Sequence, residues 1–181
     1  MQNHDGLRLP LEVRLRDGRA VLVREIRAQD EDGMRAALGR LSADARYARF
    51  MMPMREPPPA MLAAATRPQA HDLALVAVSG EDGPDPEIVA GARYVGAPGS
   101  DSCEFAVTVI DDWHGLGLAR RLLELLIAQA AARGMRRMEG YVLAANTPMR
   151  RLAGRLGFVD RQCEDDATLR VVSLDLAGGV A

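Results

Sequence analysis

Between Cys103 and Gly134 the chain changes its hydrophobic period once, and two glycines mark the change. Cys103-Glu104-Phe105-Ala106-Val107-Thr108-Val109 alternates and is rich in β-branched residues, which predicts a strand. Leu118, Leu122, Leu125 and Leu126 recur at helical spacing, and Arg133-Gly134 supplies a helix stop. The turn between them contains Trp113, His114, Gly115, Leu116 and Gly117. Glycines there let the backbone approach a ligand closely, and the helix start offers unpaired N–H groups and positive dipole to a phosphate. Arg120 and Arg121 stand where the macrodipole disfavours cations, which suggests a bound anion offsetting that cost. The competing reading is that arginine is a good helix former facing solvent.

Two common phosphate-binding turns are excluded. No Gly-Lys-Ser/Thr ending follows the glycines, so the turn is not a nucleoside triphosphate loop. In the dinucleotide pattern a third small residue packs the helix against the strand, and Arg120 occupies that position here.

Elsewhere the pattern predicts a mixed α/β fold. Val13 to Arg16 and Ala20 to Arg27 read as strands of a hairpin around Asp17-Gly18. Asp30 is expected to cap a helix reaching Arg40, and Ser42 another reaching Phe50. Four prolines between Pro53 and Pro59 predict a loop, followed by a short helix from Ala60 to Thr66. Strands over Leu73–Val78 and Ile88–Val95 join the Glu104 strand in an antiparallel meander. After the glycine-turn helix come a strand over Met138–Leu143, a helix after Asn146 and a final strand over Leu169–Leu176. Hairpins first, then strands alternating with helices, give a mixed sheet in one domain of 181 residues.

The glycine turn resembles the acetyl-CoA loop of the GNAT family of N-acetyltransferases, whose pattern is Gln or Arg, two residues, Gly, one residue, then Gly or Ala. His114-Gly115-Leu116-Gly117-Leu118-Ala119 matches it, with histidine in place of the first residue. A second motif, Asn146-Thr147-Pro148-Met149-Arg150-Arg151-Leu152-Ala153-Gly154-Arg155-Leu156-Gly157-Phe158, resembles the family's Asn-led helix ending in Gly-Phe. Leu15-Arg16-Asp17-Gly18-Arg19 and Leu41-Ser42…Arg46-Tyr47…Arg49-Phe50 are similar to one branch, the bacterial Pat-type protein lysine acetyltransferases that modify acyl-CoA synthetases. The resemblance covers about residues 11 to 176 and implies a GNAT-like, mostly antiparallel central sheet flanked by helices.

Amide formation sets the chemistry to look for. A lysine ammonium, with a pKa near ~10.4, must lose a proton before its nitrogen attacks a thioester, so a general base is required. On an alternating strand Glu104 shares a face with Ala106 and Thr108. From Glu104 to Ile110 the strand spans roughly 20 Å, comparable with an extended pantetheine arm, so phosphates at Gly117 put the thioester near Glu104. The resemblance also assigns the catalytic glutamate to this position; the competing reading is a surface carboxylate paired with an arginine.

The same resemblance implies that the backbone of Val107 and Val109 bonds the pantetheine amides like an added strand. It likewise assigns the pyrophosphate to N–H groups of Leu116, Gly117, Leu118 and Ala119, with Gly115 shaping the turn and Arg120 beside it. His114 and Asn146 are further cofactor-side candidates, although Asn146 is equally a helix N-cap ahead of Pro148, and His114 equally a polar loop residue. Trp113 reads as packing. Many relatives carry a tyrosine that protonates the departing thiolate; Ala153 stands there, and Tyr141 is a weak substitute that reads more readily as packing or substrate-wall surface.

Acetyl-CoA is therefore the expected cosubstrate, and the preferred acceptor is a protein bearing a reactive lysine, an acyl-CoA synthetase by resemblance. The alternatives are a small-molecule or amino-acid N-acetyltransferase, since a fold does not decide a substrate, and a CoA-sensing module without turnover. A net charge of −2 argues against nucleic acid as main partner. No apolar stretch approaches 18 residues and Met1 to Gly6 does not resemble a signal peptide, so a cytoplasmic protein without membrane attachment is expected. Cys103, Cys163 and three histidines form no metal pattern, and the cysteines are expected as thiols. All 23 basic residues are arginine, which forbids acetylation of the protein's own lysine side chains; codon bias accounts for this equally well. Asp111, Asp112, Glu164, Asp165 and Asp166 could attract a lysine-bearing partner or be solvated loop residues. The residues leave oligomeric state open.

Overall fold

The chain opens on a hairpin whose turn reaches across to the glycine loop. In the computed structural model, which describes residues 8–177, β1 (Leu11–Arg14) and β2 (Ala20–Glu25) pair antiparallel. β1 lies two residues earlier than the pattern predicts, because Leu15 and Arg16 belong to the turn, and β2 ends at Glu25 rather than Arg27. Leu15 N–H donates to the Arg19 carbonyl at 2.8 Å, and Gly18 takes φ +89°, a conformation open chiefly to glycine. The opening segment Met1–Gly6 lies outside the described residues.

Eight strands form one sheet in the order β1-β2-β3-β4-β5-β6-β8-β7. β3 (Leu73–Ser79), β4 (Glu87–Gly96) and β5 (Ser102–Val109) complete the antiparallel meander. β6 (Arg137–Leu143) lies parallel to β5, and β8 (Leu169–Asp175) runs antiparallel between β6 and β7 (Val159–Gln162). The sequence pattern missed β7, whose four residues are mostly exposed and only one of which is apolar. The expected mixed, mostly antiparallel sheet flanked by helices is what forms.

Helices cover both faces of the meander. α1 (Glu31–Gly39), α2 (Ala43–Phe50) and α3 (Pro59–Ala65) cover the Glu104 face, where Met34 of α1 reaches Gly91 of β4. α4 (Leu118–Ala132) covers the other, burying Leu118, Leu122, Leu123, Leu125 and Leu126 against β4 and β5. α5 (Thr147–Arg155) packs near β7.

Ser42 caps α2 as expected, its hydroxyl accepting from the Ala45 N–H at 3.2 Å. Asp30 does not cap α1. Its carboxylate accepts from both terminal nitrogens of Arg24 at 2.8 and 2.9 Å and from the Arg27 N–H at 2.6 Å, making a buried ion pair instead.

At the sheet centre, the Phe105 ring packs over Gly140 of β6 and lies 5.2 Å from the Phe158 ring. A Cβ at Gly140 would fall 2.6 Å from the Phe105 ring, so this crossing admits only glycine without a shift of a buried aromatic.

Two stability predictions follow from these contacts. Burial pushes the Asp30 carboxyl up, but hydrogen bonds from Arg24 and the Arg27 backbone outweigh it and hold the group below the ordinary aspartate value of 3.8. A carboxyl lowered in the folded state stabilises above its unfolded value, and that contribution is lost as pH falls through the folded value. Asp30→Asn is expected to cost about 2 kcal/mol at neutral pH, since it removes the carboxylate that takes both terminal nitrogens of the buried Arg24, while Glu81 keeps its bond to Arg24 Nε at 2.9 Å. In chemical denaturation at several pH values, the gap to the parent protein should shrink as the pH falls from the ordinary aspartate value toward the lower folded Asp30 value. Gly140→Ala is expected to cost about 1–3 kcal/mol by overpacking, read as a lowered Tm.

Candidate active site

The parallel ladder between β5 and β6 stops at its third residue. Ser102, Cys103 and Glu104 are in register with Arg137, Met138 and Glu139, and beyond them no pairing joins the two strands among the described residues. β6 remains fully paired with β8, and β5 with β4, so the two strands diverge and leave one edge of Phe105–Val109 uncovered. Ile110 N–H donates to the Val89 carbonyl at 3.0 Å. Antiparallel alternation then turns Thr108 and Ala106 toward β4, and Val107 and Val109 toward the opening. The Val109 carbonyl is independent evidence of that orientation: it accepts from the His114 imidazole Nε2 at 2.7 Å rather than from β4.

At one end of the opening stands the glycine loop. Gly115 and Gly117 take φ +74° and +90°, and Gly117 is the N-cap of α4 with no side chain capping the helix. Arg121 N–H bonds back to the Gly117 carbonyl at 3.1 Å, so the N–H groups of Leu118, Ala119 and Arg120 precede the first intrahelical bond. His114 braces the loop from within. Trp113 is buried, with the Arg19 guanidinium carbon 3.9 Å from its ring centroid. Arg19 also donates to the Asp112 carbonyl at 3.3 Å, and Arg16 N–H to the Leu116 carbonyl at 3.4 Å. The hairpin turn is thereby fastened over the loop.

Arg16 is the residue this docking adds to the site. Its Nε lies 3.6 Å from where a Cβ on Gly117 would be, and its exposed side chain makes no hydrogen bond or ion pair among the described residues. The basic pair in α4 is differently placed: Arg120 bonds Glu124 at 2.8 Å and Arg121 approaches it at 3.5 Å. Glu124 therefore offsets part of the macrodipole cost that the sequence pattern attributed to a bound anion.

At the opposite end, where the strands part, stands the exposed Glu104. It opens on a cavity of about 430 Å³ between β3–β5 and α1–α3, lined mainly by apolar side chains such as Ile26, Leu38, Phe50 and Leu62. Arg49 of α2 and Arg93 of β4 are its only other ionisable lining groups among the described residues. Burial, with Arg93 adding to it and Glu104 opposing, lowers the half-buried Arg49 guanidinium to about 10. Tyr141 of β6 is exposed, and slight desolvation together with the Glu139 and Glu104 carboxylates holds its hydroxyl above the usual phenol value.

Asn146 caps α5, its Oδ1 accepting from the Met149 N–H at 3.2 Å, which leaves its amide nitrogen for other contacts. Ala153 is fully buried and carries no group that could donate a proton. Cys103 and Cys163 are free thiols, and burial pushes Cys103 up to about 11. Among the acidic cluster, Asp111 accepts from the Ser42 N–H, Asp112 pairs with Arg40 and Asp166 binds Thr168. These three carry local structure. No grouping of side chains suited to a metal ion occurs among the described residues, and no helix there is long and apolar enough to cross a membrane.

Arg16 and Arg49 lie within segments that carried the family resemblance, yet their chemistry was not legible, because an arginine in a turn or on a helix looks like any solvated one. Arg93 had a weak signal: a charge at a position of β4 that faces inward.

Comparison with known proteins identifies the family. Residues 37–158 match the model of the acetyltransferase (GNAT) family. The chain is 39% identical over 155 residues to acetyltransferase PA5475 of Pseudomonas aeruginosa, covering 85% of this chain and 83% of that protein. It is 30% identical over 152 residues to acetyltransferase Pat of Mycolicibacterium smegmatis, covering 83% of this chain but only 44% of that longer protein. Among solved structures, the GNAT domain of S. lividans PAT superimposes with a TM-score of 0.81 at 28% identity, over 91% of this chain and 96% of that domain. With strand divergence, glycine loop and Asn-capped helix in one sheet, and a family match over most of its length, the chain belongs to the GNAT family of acetyltransferases.

Proposed function

We propose that this acetyltransferase moves acetyl from acetyl-CoA to a protein lysine ε-amine, as a cytoplasmic enzyme, with an acyl-CoA synthetase as the partner the resemblance suggests. The observation that carries the reading is the abrupt end of β5–β6 pairing immediately after Glu104, with the glycine loop at the far end of the same uncovered strand. The acceptor class rests on likeness to the Pat GNAT domain and to Pat itself. Two free thiols agree with a reducing compartment.

In this reading the pantetheine arm lies along the uncovered edge of β5, its amides bonding the backbone of Val107 and Val109 as an additional strand would. The pyrophosphate rests on N–H groups of Leu116, Gly117, Leu118 and Ala119. Gly115 provides the left-handed turn, and His114 keeps the loop seated by holding the Val109 carbonyl. Arg16, unpaired beside Gly117, adds positive charge for the phosphates, and Arg120 borders them. Asn146 closes the cofactor side through its amide nitrogen.

Glu104 accepts the proton that leaves the lysine ammonium. The neutral nitrogen attacks the thioester carbonyl, a C–N bond forms, and the tetrahedral intermediate collapses by breaking the C–S bond and releasing CoA thiolate, the nitrogen giving up its second proton to solvent to leave the neutral amide. A thiolate is a tolerable leaving group, so catalysis does not depend on a proton donor at Ala153. Tyr141, held protonated beside Glu104, is the hydroxyl available to the departing sulfur.

Acetyl-labelled CoA incubated with the protein and a deacetylated lysate should label discrete proteins. Glu104→Gln should lower that transfer by about 10²–10⁴-fold while leaving acetyl-CoA affinity nearly intact. Label confined to small metabolites would redirect the acceptor assignment, and a fully active Glu104→Gln protein would refute the base. Arg16→Ala should raise KM for acetyl-CoA about tenfold, the size of a lost charge-assisted contact. The same substitution should hardly affect acetyl-pantetheine, which lacks the phosphates; equal effects on both donors would remove Arg16 from the cradle.

A further inference from the structure

The cavity beside Glu104 holds two guanidiniums and one carboxylate. Arg49 stacks near the Phe50 ring at 5.0 Å, and neither the Arg49 nor the Arg93 side chain makes a hydrogen bond or ion pair among the described residues. Both are half-buried in a mainly apolar space, where a charge lacking a counter-ion is costly. They are close enough to oppose each other electrostatically, and Glu104 balances only one of them. An acceptor bearing nothing but an ammonium would bring a third cation into a cavity already one positive charge in excess. An acceptor with a carboxylate near its amine fits both signs: the ammonium faces Glu104 and the carboxylate faces the arginines, whose forked donors suit that geometry.

We propose that Arg49 and Arg93 form a carboxylate subsite and that this enzyme prefers acceptors carrying a carboxylate beside the reactive amine. This rests on the N-acetyltransferase reading of the Glu104 site. The carboxylate can come from an acidic residue adjoining a protein lysine or from the α-carboxylate of a free amino acid. Its apolar stem lies against the cavity wall formed by Ile26, Leu38 and Leu62.

Two measurements on the full chain test the subsite. Equilibrium binding of pentanoate and of 1-pentanol, followed by NMR titration, probes it without any reaction. Pentanoate should bind about tenfold more tightly than the alcohol, the effect of one charge-assisted contact. That preference should vanish in Arg49→Gln and in Arg93→Gln and persist in part in Arg49→Lys, with unchanged melting curves excluding misfolding. Equal binding of the two probes, or a preference surviving both Gln variants, overturns the proposal.

Acetyl transfer is then compared between lysine peptides with Glu or Gln beside the acceptor, and between free lysine and lysinamide. A Glu-peptide preference identifies a protein source, and a free-lysine preference identifies a small-molecule source. Transfer without either preference overturns the subsite. If pentanoate binds as expected but no acceptor is acetylated, the subsite stands and the acetyltransferase reading of this chain's site fails.

Discussion

Everything in the site depends on backbone hydrogen bonds that β5 does not make. Inside a sheet nearly every buried N–H and C=O is paired, and β5 satisfies that rule against β4 along its length and against β6 through Glu104. Past that point one edge of five residues faces an opening. A sheet tolerates such a gap only if water or a ligand completes it, and an extended chain with amide groups does so with the least rearrangement. The exposed carboxylate sits at the vertex of the gap and the glycine loop at its mouth. The proposed chemistry needs these two features one pantetheine length apart.

The surrounding structure holds that gap open. Full pairing of β6 with β8 commits β6 away from β5, and Phe105 over Gly140 fills the crossing with an aromatic ring. At the mouth, α4 begins at a left-handed glycine, so its first N–H groups stay free of side-chain caps. His114 and the β1–β2 turn press the loop into place through the Val109 and Leu116 carbonyls. On the other face, α1–α3 enclose the cavity beside Glu104, the proposed approach of the acceptor. In the proposed mechanism the two substrates have separate approaches to one carboxylate, an arrangement suited to direct transfer through a ternary complex.

Much of this was legible in the residues because local patterns encode local structure. Alternation marked the meander, the leucine spacing marked α4, and Ser42 and Asn146 announced the caps they make. Asp30 misled, because an aspartate before a helix reads as a cap while its oxygens are taken by Arg24, an interaction visible only once β2 and α1 are side by side. β7 is too short and polar to show a period, and its pairing depends on β8. Glu104 and the glycines lie on one continuous unit and were readable together. Arg16, Arg49 and Arg93 come from three distant segments, so their convergence on the two ends of the opening is a property of the sheet order rather than of any motif.

The central claim is that the free edge of β5 is where the cofactor binds. Residue-resolved amide hydrogen exchange with and without CoA tests it most directly. The account predicts slowed exchange on CoA binding at the Val107 and Val109 amides and at those from Leu116 to Arg120, with Ala106 and Thr108, already paired to β4, little changed. CoA binding that leaves Val107 and Val109 exchanging as before would contradict it and move the cofactor away from the opened strand.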